Sequence, residues 1–301
     1  MMNAIDFKNV NKIYNHAKAL DDFNLEVAEG EVLAIAGPNG AGKTTMIRII
    51  TGLTLPTSGY ISIFGKSSAL ELNNMRKEIG TLIEYPTFYK SMTGLENLMV
   101  NSKLKNVDGK ERCCELLDFV KLPNDNKKVK NYSLGMKQRL GLAKALISDP
   151  KILILDEPTN GLDPLGIIEF RQLILDLKGK NKTIIICSHL LSELEHVADR
   201  FAFIKNGHII RNVHTDEMRN MNSEIALEIN DSRHAADILK SAYPYVNIEI
   251  NSGSSLKIKF AEECIDINDI INCLKSKDSS INIYNISKSA MSLEELFRSI
   301  V

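Results

Sequence analysis

Apolar and polar positions alternate along residues 3–13, NAIDFKNVNKI, with the period of two that predicts a half-buried strand. DFNLEVA over 22–28 predicts a second strand, and Glu29-Gly30 turns the chain into a third. That third run, EVLAIA over 31–36, is almost wholly apolar, as a strand covered on both faces must be. A helix is predicted over 45–50, then a loop over 52–59 rich in Gly, Pro, Ser and Thr. A short strand over 60–65, a helix near 70–78, a strand over 79–84 and an aromatic loop over 85–89 follow. From about 93 to 147 the period is helical. Thr93-x-x-Glu96 reads as a capping box, 111–120 as a helix, 123–130 as a solvated lysine-rich loop, and the stretch up to Ile147 as a further helix. The strand pattern resumes with KILILDE over 151–157 and TIIICSH over 183–189, with helices over 164–177 and 190–197. Residues 200–210 predict a hairpin turned at Asn206-Gly207. Past Thr215 the order is strand 224–229, helix 235–242, hairpin strands 246–250 and 256–260, helix 267–274, strand 281–286 and a last helix 293–300. The pattern therefore predicts two domains. One is an α/β domain over 1–220 whose helical subdomain covers about 85–148. The other, over 221–301, is a small α+β domain of βαββαβ order, the ferredoxin-like arrangement.

Composition changes this picture little. In 301 residues, 37 Lys and Arg balance 38 Asp and Glu, which gives no support to a nucleic-acid partner. MMNAIDFKNV lacks the basic and apolar segments of a signal peptide, and no apolar run approaches a membrane span. The expectation is a cytoplasmic chain that works at a membrane only through a partner. Cys113, Cys114, Cys187, Cys264 and Cys273 have no metal-ligand spacing and read as reduced thiols.

The chemistry concentrates in Gly37-Pro38-Asn39-Gly40-Ala41-Gly42-Lys43-Thr44-Thr45, which matches the phosphate-loop pattern G-x-x-x-x-G-K-[ST]. It lies between an apolar strand and a helix, the context that makes an anion site. Glycines let backbone N–H groups turn inward, and the helix start adds unpaired N–H groups and positive dipole. Lys43 is placed to reach the β- and γ-phosphates, and the Thr44 hydroxyl to hold Mg²⁺. Asp156 ends a buried strand and can hold the same ion, Glu157 beside it can polarise an attacking water, and His189 ends the neighbouring strand within reach of the γ-phosphate. Tyr14, upstream of the loop, can stack on an adenine ring.

With these residues in place the chain resembles the ATP-binding subunit of an ABC transporter. GPNGAGKTT is similar to the family's Walker A motif, ILILDEPTNGLD to its Walker B and D-loop, and YSLGMKQRL stands where the family carries its signature. The resemblance covers about residues 3–220. It implies a P-loop cassette with a mixed sheet and a helical insertion, ahead of the ferredoxin-like domain that the element order predicts. It implies ATP and Mg²⁺ as cofactors, Glu157 as the catalytic carboxylate, His189 as the switch histidine, Asp163 as the D-loop aspartate and Tyr14 as the adenine-stacking ring. It also implies a head-to-tail dimer, either a homodimer or a pair with a paralogous ATPase. In that dimer Ser133, Leu134, Gly135 and Met136 close on the nucleotide of the other subunit. Separate polytopic permease subunits would hold the chain at the inner face of the membrane.

The chain departs from the family pattern in two places, the signature and the Q-loop. Leu134 and Met136 replace the signature's first glycine and its glutamine, and Glu84 stands where the family usually carries the Q-loop glutamine. Glu84 can still offer Mg²⁺ an oxygen, but adds a full charge and loses the amide donor. Glu84 within LIEYPTFY, together with TNGLDP, resembles the bacitracin-resistance and lantibiotic-immunity branch, which implies export of a peptide antibiotic. A soluble ABC ATPase of translation or DNA repair, and a nucleotide-switched regulatory module whose tail senses a ligand, stand as the alternatives.

Overall fold

The computed structural model describes residues 3–83, 86–107, 109–188, 191–220, 224–259, 266–289, 293 and 297. The chain divides into two compact units, residues 1–212 with 301, and residues 213–300.

The first unit opens with β1 (Asn3–Tyr14), β2 (Ala17–Ala28), β3 (Val32–Ala36), α1 (Lys43–Ile50) and β4 (Ser58–Ile63). It continues with α2 (Ala69–Met75), β5 (Ile79–Leu82), α3 (Gly94–Leu104), α4 (Lys110–Phe119) and α5 (Leu134–Ala145). Then come β6 (Ile152–Asp156), α6 (Pro164–Gly179), β7 (Thr183–Cys187), α7 (Leu191–Leu194), β8 (Arg200–Lys205) and β9 (His208–His214).

Two sheets share one core. The antiparallel sheet runs β2-β1-β4, and the six-stranded sheet runs β5-β6-β7-β3-β8-β9. In the larger sheet β5, β6, β7, β3 and β8 pair in parallel. All residues of β3, β6 and β7 are buried, as their unbroken apolar runs require. Phe7 and Phe23 meet edge to face with centroids 5.2 Å apart, and the same cluster holds Ile35 and Ile47. Each such side chain contributes about 1.5–3 kcal/mol by leaving water. The β1–β2 hairpin turns at Asn15 and His16, both at positive φ, the type I′ geometry that matches strand twist. β2 starts five residues earlier than the alternation predicts, because Asp21-Asp22 sits at an irregularity in the ladder. There the Asp22 amide donates to Asn11 Oδ1 at 3.0 Å, and Asn9 Nδ2 donates to Asp22 Oδ1 at 2.7 Å.

The predicted helical insertion is α3, α4 and α5, packed on Leu98, Leu116, Leu117 and Leu140. Thr93 and Glu96 form the predicted capping box, and Ser68 and Glu71 form a second one at α2. The helix expected over 190–197 is a single turn, Leu191–Leu194. The reason lies at Asp199, whose Oδ2 accepts from the Val32 amide at 2.9 Å and whose own amide donates to Val32 O at 2.8 Å. This capture pulls the chain into β8 before a second turn can form.

The second unit holds α8 (Thr215–Asn220), β10 (Glu224–Ile229), α9 (Ser232–Ala242), β11 (Asn247–Ser252), β12 (Ser255–Lys259), α10 (Ile267–Lys277) and β13 (Ile283–Ser289). Its antiparallel sheet runs β11-β12-β10-β13, the order expected of a βαββαβ sandwich. Leu227, Leu239, Leu256, Ile270 and Leu274 belong to its own core. Of the expected helix over 293–300 only Leu293 and Phe297 are described, both helical; the rest lies outside the described residues.

Candidate active site

The phosphate loop leaves β3 after Ala36 and enters α1 at Lys43. Two of its glycines are sterically required. A Cβ on Gly37 would stand 2.3 Å from the Ile204 carbonyl oxygen, and one on Gly42 2.7 Å from that of Ala19. Gly40, at φ +80, would meet nothing within 4 Å, so its face of the loop is open to an approaching ligand. The Ala41 amide donates to Pro38 O at 3.2 Å, the Gly207 amide to Ala41 O at 2.9 Å, and the Asp21 amide to Gly207 O at 3.1 Å. The turns at both flanks thus clasp the loop. Lys43 is buried, and its ammonium donates to the carbonyls of Gly37 and Pro38. Thr44 and Thr45, both half-buried, stand in the first turn of α1, which carries no acidic residue. A helix start without a carboxylate, beside a lysine, suits an anion.

Asp156 is the last residue of β6 and is buried; its register partner on β7 is Cys187. β7 lies between β6 and β3, so Asp156 reaches the loop's end of the sheet from one strand away. Glu157 takes φ +49, which turns it off the strand line while its amide donates to Cys187 O at 2.8 Å. Burial pushes the Cys187 thiol well above its ordinary range, the Asp156 carboxylate pushes it further, Lys43 opposes, and Glu157 adds to the rise. Cys187 pairs with Asp156 on one side and with Ile35 of β3 on the other, which sets the acidic strand end beside the strand that feeds the loop. Thr44 and Asp156 offer oxygen donors of the kind Mg²⁺ takes, and among the described residues no group of three or more His, Cys, Asp or Glu could cage a metal. Such a donor pair fits an ion that keeps its waters and shares a phosphate ligand. His189 and Glu84 lie outside the described residues.

Tyr14 ends β1, 39% exposed, with the Lys12 ammonium 4.8 Å from its ring centroid. Across the hairpin it opposes Ala17, two residues before the Ala19 carbonyl that packs on Gly42. The ring is thus carried by the hairpin that borders the loop.

Ser133 caps α5, its Oγ accepting from the Met136 amide at 3.2 Å, and Asp163 caps α6, its Oδ1 accepting from the Gly166 amide at 3.0 Å. Neither helix has an acidic residue in its first turn. Between the two starts lies a groove of about 390 Å³, lined by Ser133, Leu134, Gly135, Gly161, Leu162 and Asp163 among others. None of residues 37–45 lines it. A Cβ on Gly135 would meet Leu162 at an ordinary 3.5 Å, so nothing within the chain demands that glycine. Sequence pattern did not reveal Ala19, Ile204, Gly207 or Cys187 as neighbours of the loop. Only Asn206-Gly207 carried a local signal, as a turn.

The protein-family description "ABC transporter" matches residues 20–160. The bacitracin transport ATP-binding protein BcrA of Bacillus licheniformis is 36% identical over 301 residues, covering 99% of this chain and 97% of that protein. The lantibiotic transport ATP-binding protein SrtF of Streptococcus pyogenes is 43% identical over 229 residues, 74% of this chain and 98% of that protein. A dimeric ATP-binding cassette solved in a post-hydrolysis state with ADP and phosphate superposes with a TM-score of 0.64 at 29% identity, covering 70% of this chain and 98% of that one. Among the described residues no helix is long and apolar enough to cross a membrane. Fold, phosphate loop, acidic strand end and relatives agree: the chain belongs to the ABC transporter family, as an ATP-binding subunit that hydrolyses ATP.

Proposed function

We propose that this subunit drives export of a peptide antibiotic of the bacitracin or lantibiotic kind, as a head-to-tail dimer beneath a separate polytopic permease at the inner face of the membrane. One observation carries the reading of the cargo: the likeness to the bacitracin transport protein extends through the second unit to nearly the whole of both chains. The groove between α5 and α6 supports the dimer, because it presents two helix N-termini yet excludes the chain's own phosphate loop.

In this reading Tyr14 stacks on the adenine, and the amides of residues 37–45 with Lys43 hold the phosphates. Thr44, Asp156 and Glu84 would hold Mg²⁺, which would neutralise phosphate charge. Glu157 takes a proton from the attacking water, and His189 contacts the γ-phosphate. Ser133 and Gly135 close over the partner's nucleotide through a hydroxyl and a helix start, with Leu134 and Met136 flanking them and Asp163 beside the joint. ATP draws the two chains together, hydrolysis releases them, and the helical insertion passes that motion to the permease.

Glu157→Gln tests the core of the proposal. It should keep ATP affinity, lose at least about 100-fold in turnover, since an amide cannot serve as a base, and accumulate as an ATP-bound dimer in gel filtration. A variant that turns over ATP normally refutes the role of Glu157. Cells carrying the permease and wild-type chain should survive bacitracin or a lantibiotic that kills cells carrying Glu157→Gln; equal survival refutes the cargo.

A further inference from the structure

A leucine side chain seats on a glycine where the signature meets the D-loop, and an ordinary contact lies beside it. Leu134 Cδ2 lies 2.5 Å from where a Cβ on Gly161 would stand, and Leu162 Cδ2 lies 3.5 Å from where one on Gly135 would stand. Only the first approach is too close for a Cβ, so the seat is Leu134 on Gly161. Gly161 is at φ +73, so both its backbone and its missing side chain suit this seat. The stretch behind it is tightly wound: the Asn160 amide donates to Glu157 O at 3.1 Å and the Leu162 amide to Thr159 O at 3.1 Å. These two turns link the backbone of Gly161 to that of Glu157. Beyond the seat the helices are tied again, Arg139 on α5 standing 3.2 Å from Glu169 on α6.

We propose that Leu134 is a positioning residue for hydrolysis, and that the Leu134–Gly161 seat carries movement of the α5 start to the Glu157 carboxylate of the same chain. The functional part rests on the head-to-tail reading above. There, α5 of one chain grips the partner's nucleotide, while Glu157 of that chain serves its own. The seat then links closure over one nucleotide to the setting of the base at the other, so the two sites fire together. Leucine in place of the signature's usual glycine is what makes the seat, since a glycine in that position has no side chain to fill it. Leu134 is only half-buried, so space-filling alone gives its truncation little effect on turnover.

The test is a double-mutant cycle on the full chain with Leu134→Ala, Gly161→Ala and the pair, reading kcat, KM for ATP and the Hill coefficient. Leu134→Ala should lower kcat about tenfold with KM within about twofold, because a displaced base slows chemistry more than binding. Its Hill coefficient should fall toward unity, and Leu134→Met, which refills the seat, should restore both. Gly161→Ala should be worse than Leu134→Ala. The pair should recover part of that loss, because truncating Leu134 leaves room for the new methyl, while the backbone strain at Gly161 is common to both backgrounds. Additive effects, or a Leu134→Ala chain with unchanged kcat and Hill coefficient, overturn the proposal. A Glu157→Gln chain that stays monomeric with ATP refutes instead the dimer reading and the cooperative part, and the kcat cycle still decides whether Leu134 positions Glu157.

Discussion

Gly42→Ala and Gly40→Ala separate two demands that the phosphate loop makes on its glycines. Both positions have positive φ, +119 at Gly42 and +80 at Gly40, so each alanine meets backbone strain of about 1–3 kcal/mol. Only Gly42 is also hemmed in, with a Cβ falling 2.7 Å from the Ala19 carbonyl oxygen and 2.8 Å from Leu20 Cδ2. The carbonyl is part of the β1–β2 hairpin backbone and cannot rotate aside, which adds about 1–3 kcal/mol of overpacking. Gly42→Ala should therefore cost about 2–6 kcal/mol and Gly40→Ala about 1–3 kcal/mol. At about 2–4 °C per kcal/mol, the extra overpacking should make Gly42→Ala melt about 2–12 °C below Gly40→Ala in a circular-dichroism scan of the cassette transition. ATP affinity, read by titration calorimetry, should fall in both variants. Gly40→Ala places its methyl on the open face of the loop and weakens ATP binding with a modest loss of Tm, whereas Gly42→Ala loses both. Equal melting temperatures for the two variants would refute the claim that Ala19 and Leu20 confine the loop.

Other perturbations test the frame around the site. Arg200 and Glu31 form a mostly buried two-point pair, Nε to Oε1 at 2.6 Å and Nη2 to Oε2 at 3.0 Å, so Arg200→Met should cost about 3 kcal/mol in urea unfolding by stranding the carboxylate; a loss under about 0.5 kcal/mol contradicts this. Cys187 is buried with its thiol pushed well above the usual range, so iodoacetamide at pH 8 should label the half-buried Cys114 and spare Cys187 in the native chain; equal labelling rates would show that the thiol is not shielded. The Lys182 ammonium, 2.8 Å away, holds the exposed Asp149 carboxyl below its ordinary 3.8. A depressed carboxyl stabilises the fold above its unfolded pKa and loses that contribution as pH falls through the folded one. The stability gap between wild type and Lys182→Met should thus be full near neutrality and close below about pH 3.8, and a gap that widens in acid would reverse the assignment.

Much of the cassette was legible because its signals are local. Unbroken apolar runs announced β3, β6 and β7, and Thr93-x-x-Glu96 announced the start of α3. The phosphate loop was read from spacing alone, and the packing of Gly37 and Gly42 gives that spacing its cause. What escaped was long-range. Nothing near Gly42 in sequence points to Ala19, and nothing near Leu134 points to Gly161, because such contacts arise only when distant elements pack. The early start of β2 escaped because an irregular ladder breaks the period of two. The one-turn α7 escaped because a tertiary bond at Asp199 overrides local helical preference.

The β8–β9 turn has a consequence for how the chain holds together. Gly207 is hydrogen-bonded to the phosphate loop on one side and to Asp21 on the other, and only β9 separates it from the second unit. Among the described residues the loop is thus fastened at Gly207 by a turn that belongs to the first unit. Losing Gly207 would unfasten the loop from the hairpin as well as from its own strand, so a turn of two residues far along the chain holds together pieces that meet only after folding.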